Sequence, residues 1–219
     1  MNEQRNPELI FSNVDFWFKK NRAVLKGFNL SLGVGSTALL GENGAGKSTI
    51  FKLAMGRLLP KKGSIDFLVD GEVLVGSRLM ELIGYVPQHV EPIAGFTVRE
   101  QVEYAAWLKG FDRKTAAEAA KSAILAVALE DFRDIKVRTL SGGQARRVAI
   151  AMGIVHNPRF LFLDEPTASL DPEQRETINS LIRQLSRDTI TLVSTHILED
   201  LEGTYDNVVA LKEGRILLA

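Results

Sequence analysis

The nine residues "GENGAGKST", Gly41 to Thr49, decide how the chain is read, because the sequence on either side dictates their geometry. Before them "STALLG" is a short apolar run that reads as a buried strand. After them "KSTIFKLAMGRLL" reads as a helix, expected to run until "PKKG" ends it. G-x-x-x-x-G-K-[ST] between a strand and a helix is a phosphate-binding loop. Gly41, Gly44 and Gly46 permit dihedrals and close approaches that a Cβ obstructs. The backbone N–H groups of the loop, with Glu42, Asn43 and Ala45 between the glycines and Thr49 at its end, can then surround a polyphosphate at the positive end of the helix. Lys47 would reach the β- and γ-phosphates, and the Ser48 hydroxyl would bind Mg²⁺.

A second stretch, "FLFLDEPT", supplies acid. An apolar strand ending in Asp164 delivers a carboxylate to the C-terminal edge of a sheet, beside the phosphate loop, where Mg²⁺ would sit. Glu165 follows directly, and strand alternation is expected to send the two acids to opposite sides: Asp164 to the metal, Glu165 to an attacking water. No "NKxD"-type motif for reading guanine occurs, which weighs against a GTPase.

Composition limits the rest. The chain has 219 residues and 45% hydrophobic content, enough for a substantial core. Lys plus Arg and Asp plus Glu are both 27, so no global field draws it to nucleic acid or to an anionic membrane face. Cysteine is absent, which excludes disulfides and thiolate-bound metals and fits a reducing cytoplasm. No apolar run approaches the roughly 20 residues that span a bilayer, and the start has no signal-peptide core, so a soluble protein is expected.

The remaining elements alternate. "LIFSNVDFWF" and "AVLKGFNLSL" read as strands about the turn "KKNR"; "GSIDFLVDG", "LIGYVPQ" and "TITLVSTH" are further strands, and "NVVALKEGRILLA" is two short strands about "KEG". From Thr97 to about Leu129 the texture is helical and alanine-rich, with Thr97 and Glu100 in capping-box spacing and Asp112 opening a second helix. "SGGQARRVAIAMGIVHNP" reads as a helix, and so does "DPEQRETINSLIRQLSRD", with Asp171 as N-cap and Pro172 at N1. The expected fold class is α/β: a mostly parallel sheet flanked by helices, with an N-terminal antiparallel β subdomain and a helical subdomain inserted at about 90–157, all in a single domain over 1–219.

"LSGGQ", Leu140 to Gln144, is a second glycine-rich loop. Ser141 and Gln144 stand in capping-box spacing, so a hydroxyl, the N–H groups of Gly142 and Gly143 and a helix N-terminus form another candidate anion site. With this motif the chain resembles the nucleotide-binding subunit of ATP-binding cassette (ABC) transporters from Leu9 to Leu218. Six motifs appear in that family's order: "GENGAGKST", Gln88 after "YVPQ" as the Q-loop, "LSGGQ" as the signature, "LFLDEP", "SLD" at Ser169–Asp171 as the D-loop, and "STH" ending on His196 as the switch histidine.

The resemblance implies a P-loop NTPase core and an ATPase whose two copies pack head to tail, the signature of one covering the ATP on the phosphate loop of the other. It implies Glu165 as general base or water-orienting acid, His196 on the γ-phosphate, Gln88 with Ser48 and Asp164 around Mg²⁺, and Phe18 stacking on adenine where tyrosine is common. Phe16 and Phe18 should share one strand face, so packing of either in the core competes with stacking. His89 and His156 read as structural. The implied partners are a second ATPase subunit, identical or related, and a separate membrane permease that would hold the chain on the inner face of the cell membrane; no nucleic acid is expected. "FTVREQVEYAAWLKGF" through "STHILEDLE" is similar to ATPase subunits of bacterial drug, antibiotic and polysaccharide exporters, which favours export. A non-transport ABC ATPase, of the cell-division or iron–sulfur-assembly type, is the alternative.

Overall fold

The computed structural model describes residues 7–19, 22–201 and 203–218. Four strands, β1 (Glu8–Lys19), β2 (Arg22–Leu32), β4 (Lys62–Val69) and β5 (Glu72–Val73), make an antiparallel sheet in the order β2-β1-β4-β5. Six others, β3 (Gly35–Leu40), β6 (Ile83–Val86), β7 (Phe160–Asp164), β8 (Ile190–Thr195), β9 (Asn207–Lys212) and β10 (Arg215–Leu218), form the second sheet in the order β10-β9-β3-β8-β7-β6, parallel throughout except at β10. The turn expected at Lys19–Arg22 includes Lys20 and Asn21, which lie outside the described residues.

Strand alternation divides the interior into two cores. Phe160 and Phe162 of β7, with Ile190 and Leu192 of β8, pack toward the antiparallel sheet and helix α1 (Lys47–Ala54); Leu161, Leu163 and Val193 face the helices on the other side. All of these side chains are essentially inaccessible. A strand buried on both faces reads as a continuous apolar run, as "FLFL" does.

The helical region is built from α3 (Val98–Leu108), α4 (Arg113–Ala126), two 3₁₀ turns at Glu130–Phe132 and Val137–Thr139, and α5 (Gly142–Ile154); α6 (Pro172–Leu185) returns the chain to β8. Their starts are encoded locally. Thr97 and Glu100 form a reciprocal capping box, the Asp112 carboxylate accepts from the N–H groups of Lys114 and Thr115, and Ser141 and Gln144 form a second box. Asp171 caps α6 with Pro172 at its first position.

Two elements differ from the sequence reading. Helix α1 stops at Ala54 instead of running to Leu59. Gly56 adopts φ 66°, and the N–H groups of Gly56 and Arg57 turn back to the carbonyls of Leu53 and Lys52, a Schellman stop that only a residue without a Cβ makes at little cost. Helix α2 (Gly76–Leu82) was not anticipated: it is seven residues long, has no side-chain cap and carries no acid in its first turn, so nothing local announces it.

Candidate active site

Parallel pairing brings the C-terminal ends of β3, β6, β7 and β8 to one sheet edge, where loops gather functional side chains. The loop after β3 is 41–49. Gly44 and Gly46 have φ 88° and 114°, and a Cβ on Gly41 would lie 2.7 Å from the carbonyl oxygen of Leu211. The glycines therefore set both the curl of the loop and its seat on β9. Gly46 leads directly into α1, so the helix N-terminus opens into the concavity.

That concavity is a cleft of about 1150 Å³ lined by Glu42, Asn43, Gly44, Gly46, Lys47, Ser48 and Thr49, with Phe18 on one wall and Glu165 at its floor. Ala45 is buried behind it. The terminal hairpin adds Lys212, Arg215 and Leu217, which no motif had marked. Phe16 is 3% exposed and belongs to the core, whereas Phe18 is 65% exposed and stands edge-on to Phe16 with ring centroids 5.0 Å apart. Pairing with β2 shifts register on both sides of Trp17, and the core takes only the first of the two phenylalanines.

Lys47 is buried and folds back on its own loop, donating to the carbonyl oxygens of Gly41 and, at 3.4 Å, Glu42. Its Nζ lies 3.9 Å from Glu165 Oε1. Burial lowers the ammonium's pKa, and the charges of Glu165 and Asp164 oppose that shift.

Glu165 is the hub. Beyond Lys47, its Oε2 accepts from Gln88 Nε2 at 3.2 Å, and its Oε1 lies 3.3 Å from His196 Nδ1. The separation of Asp164 from Glu165 does not come from strand alternation: β7 ends at Asp164, and Glu165 turns at φ 47°, a left-handed conformation uncommon for a residue with a side chain. The Glu165 N–H is anchored to both the carbonyl and the hydroxyl oxygens of Ser194, which hold it in that conformation.

Asp164 sits behind this hub, its Oδ1 accepting from Ser194 Oγ at 2.6 Å and its Oδ2 from the Tyr85 hydroxyl at 3.5 Å. Burial and the Asp164 charge raise the Tyr85 phenol above its usual pKa, so the hydroxyl stays a donor. Ser194 and Tyr85 were not identified as site residues. Ser194 lies inside the "STH" motif and could have been proposed; Tyr85 carries no such mark.

Ser141, Gly142, Gly143, Gln144 and Asp171 do not line the cleft. Ser141 caps α5 on exposed surface and Asp171 caps α6. One chain thus brings together the phosphate loop, Phe18, Glu165, Gln88 and His196, and leaves the second glycine loop apart. Arg146, one turn into α5, links the two regions: its guanidinium donates to the main-chain oxygens of Pro87 at 3.1 Å and Gln88 at 2.6 Å.

The fold and this edge define a P-loop nucleotide-binding cassette. Residues 25–168 match the family model described as ABC transporter. The chain is 36% identical over 179 residues to the uncharacterized ABC transporter ATP-binding protein YxlF of Bacillus subtilis, covering 82% of this chain and 59% of that one. Its structure is similar to that of cbiO1 from Clostridium perfringens, described as part of the ABC transporter complex cbiONQ, with TM-score 0.85, 32% identity and coverage of 98% and 88% of the two chains. It is also similar to the dimeric cassette MJ0796, with TM-score 0.79, 26% identity and coverage of 96% and 97%. The chain belongs to the ABC transporter ATP-binding family, whose members are ATPases coupled to transport.

Proposed function

We propose that the chain hydrolyses ATP between two copies, or between itself and a related subunit, and that this drives a substrate, outward, through a separate membrane permease. The observation that carries the reading is a division of motifs: Glu165 lines the cleft and touches Lys47, Gln88 and His196, whereas Ser141 and Asp171 are turned to capping α5 and α6 and do not line it. A phosphate loop with its hydrolytic acid but no lid is complete only when a second chain supplies one. The dimeric form of MJ0796 supports that arrangement.

In this mechanism the phosphates lie along Gly41–Thr49, with Lys47 released from the Gly41 and Glu42 carbonyls to meet them, and the base stacks on Phe18. Glu165 accepts a proton from water as the water oxygen attacks the γ-phosphorus and the β–γ bridging bond breaks. Gln88 and His196 hold the Glu165 carboxylate from two sides. Ser48, Asp164 and Gln88 offer hydroxyl, carboxylate and amide oxygens, a hard donor set that fits Mg²⁺, and the ion when bound would neutralise charge developing on the phosphates. Ser141 and the α5 N-terminus would close the site on the other copy's γ-phosphate.

Among the described residues no helix is long and apolar enough to cross a membrane, so the permease would be another polypeptide or segment. An apolar groove of about 330 Å³ between Tyr85, Val90, Leu108, Ala149 and Met152 suits such a partner. Outward direction rests on the similarity of 96–202 to exporter subunits, and a peripheral place on the inner membrane face follows from the permease. Residues 1–219 would act as one ATPase unit.

The deciding variant is Glu165→Gln. It should bind ATP, accumulate as an ATP-bound dimer in size-exclusion chromatography and lose hydrolysis. Hydrolysis at the parent rate would remove Glu165 from the chemistry. Copurification with a multi-spanning membrane protein tests the transport assignment.

A further inference from the structure

Beneath the site lies a buried polar cluster that the mechanism above does not use. Asp200 is 4% exposed and stands four positions beyond His196. Its Oδ2 accepts from Thr167 Oγ1 at 2.6 Å, and Thr167, 1% exposed, stands two positions beyond Glu165. On its other side Asp200 Oδ1 is 3.5 Å from Asn179 Nδ2 and 3.9 Å from an Arg175 terminal nitrogen, both on α6. Arg175 Nε, Asn179 Oδ1 and the Tyr205 hydroxyl are buried without a hydrogen-bond partner among the described residues.

Such a cluster is a poor stabilising device. A buried carboxylate facing one good donor and several imperfect ones recovers little more than its desolvation cost, and an apolar replacement of similar shape is often as stable. Its placement gives it a different use. Glu165, Pro166 and Thr167 leave β7 together, and His196 through Asp200 leave β8 together. Two polar contacts join these segments: at the rim, where half-exposed His196 meets Glu165 at 3.3 Å, and underneath, where Thr167 meets Asp200. The rim contact is solvent-accessible on the histidine side and weak; the lower one is short and dry. Thr167 also accepts, through its carbonyl, from the N–H of Leu170, so the same residue shapes the turn into Asp171.

Resting on the function proposed above, we infer that Asp200 is a positioning residue whose bond to Thr167 sets the spacing between the segments after β7 and β8 and so holds His196 against Glu165. It touches no nucleotide; it acts through the other two.

The test uses the full chain and four variants: Asp200→Asn, Thr167→Val, Thr167→Ser and His196→Gln. ATP affinity, kcat, KM and the thermal midpoint are measured for each, and kcat for Asp200→Asn combined with His196→Gln. Asp200→Asn and Thr167→Val should lower kcat by roughly 10- to 100-fold, the scale of a small misplacement of catalytic groups, with ATP affinity changed less than about twofold. Thr167→Ser, which keeps the hydroxyl, should restore most of the rate. In the His196→Gln background the Asp200→Asn loss should largely vanish, because the histidine it positions is already gone. Should Asp200→Asn fold poorly, comparing Thr167→Ser with Thr167→Val decides; should Thr167→Val fold poorly, the loss from Asp200→Asn in the parent against the His196→Gln background decides. A lowered midpoint with unchanged kcat, or a loss as large in the His196→Gln background as in the parent, overturns the inference. If Glu165→Gln abolishes hydrolysis while Asp200→Asn does not reduce it, only this inference fails; if Glu165→Gln hydrolyses normally, the reading it rests on fails first.

Discussion

Arg146 donates to the main-chain oxygen of Gln88 at 2.6 Å, across 58 positions of sequence. The helix that begins with the second glycine loop is thereby tied to the segment whose side chain touches Glu165. The guanidinium lies between two carbonyl groups near Asp164: burial lowers its pKa, and the Asp164 charge opposes the shift. Arg146→Ala removes both bonds. The expected result is a loss of about 1.5–3 kcal/mol of stability in urea unfolding, the range for hydrogen bonds from a charged group, together with slower ATP hydrolysis and little change in ATP affinity. Stability and rate both at parent values would show that the link is idle.

Lys47→Ala should weaken ATP binding by roughly 10- to 150-fold, corresponding to one charge-assisted contact to phosphate. Equilibrium binding of a fluorescent ATP analogue measures it directly. Burial penalises the Lys47 ammonium more than the charges of Glu165 and Asp164 favour it, so the chain should fold without it. Unchanged affinity would remove the loop at 41–49 from phosphate binding.

Gly84 on β6 and Gly153 on α5 allow strand and helix to meet at backbone distance. A Cβ on Gly84 would collide with the Gly153 carbonyl oxygen, and one on Gly153 would lie 2.6 Å from Val86 Cγ2. Gly84→Ala should therefore cost about 1–3 kcal/mol by overpacking, seen as a lower urea midpoint at unchanged m-value. Gly44→Ala makes a useful contrast: the added Cβ meets nothing, so its cost comes from φ 88° alone.

His156 gives the fold a pH dependence. Its Nε2 bonds the Ile83 carbonyl at 2.9 Å, its Nδ1 is buried without a partner among the described residues, and burial, with the nearby Lys109 ammonium, depresses its pKa to about 4. The unfolded chain has the ordinary value near 6.5 and so binds more protons than the folded chain between pH ~6.5 and about 4. Stability from this group is present above the upper value and is lost as pH falls through that window. After allowance for residual solvent screening, the loss should be on the order of 1–2 kcal/mol. His156→Gln should flatten the dependence of unfolding free energy on pH between 6.5 and 4; an identical slope would assign it to other groups.

Local sequence carried much of the architecture. The capping boxes at Thr97–Glu100 and Ser141–Gln144, the caps at Asp112 and Asp171, the strands around "FLFLD" and the hairpin turn at Glu213–Gly214 were legible because each rests on residues within a few positions of one another. The same holds for the phosphate loop, whose glycines encode its dihedrals directly. Even the Schellman stop at Gly56 was available to a closer reading of "AMGR".

Packing across the sheet edge settled the rest. Tyr85 and Asp164 meet across 79 positions, Gln88 and Glu165 across 77, and Thr167 and Asp200 across 33. No periodicity or motif spacing encodes such encounters, because parallel strands bring together residues in an order set by crossovers through the helices. The orientation of Glu165 is the sharpest case. Alternation along a strand had seemed sufficient to part it from Asp164, but the strand ends one residue too soon, and a left-handed turn pinned by Ser194 aims the carboxylate at Lys47, Gln88 and His196. Residue type and spacing named the groups; where they point depends on long-range hydrogen bonds that form only once both sheets are packed.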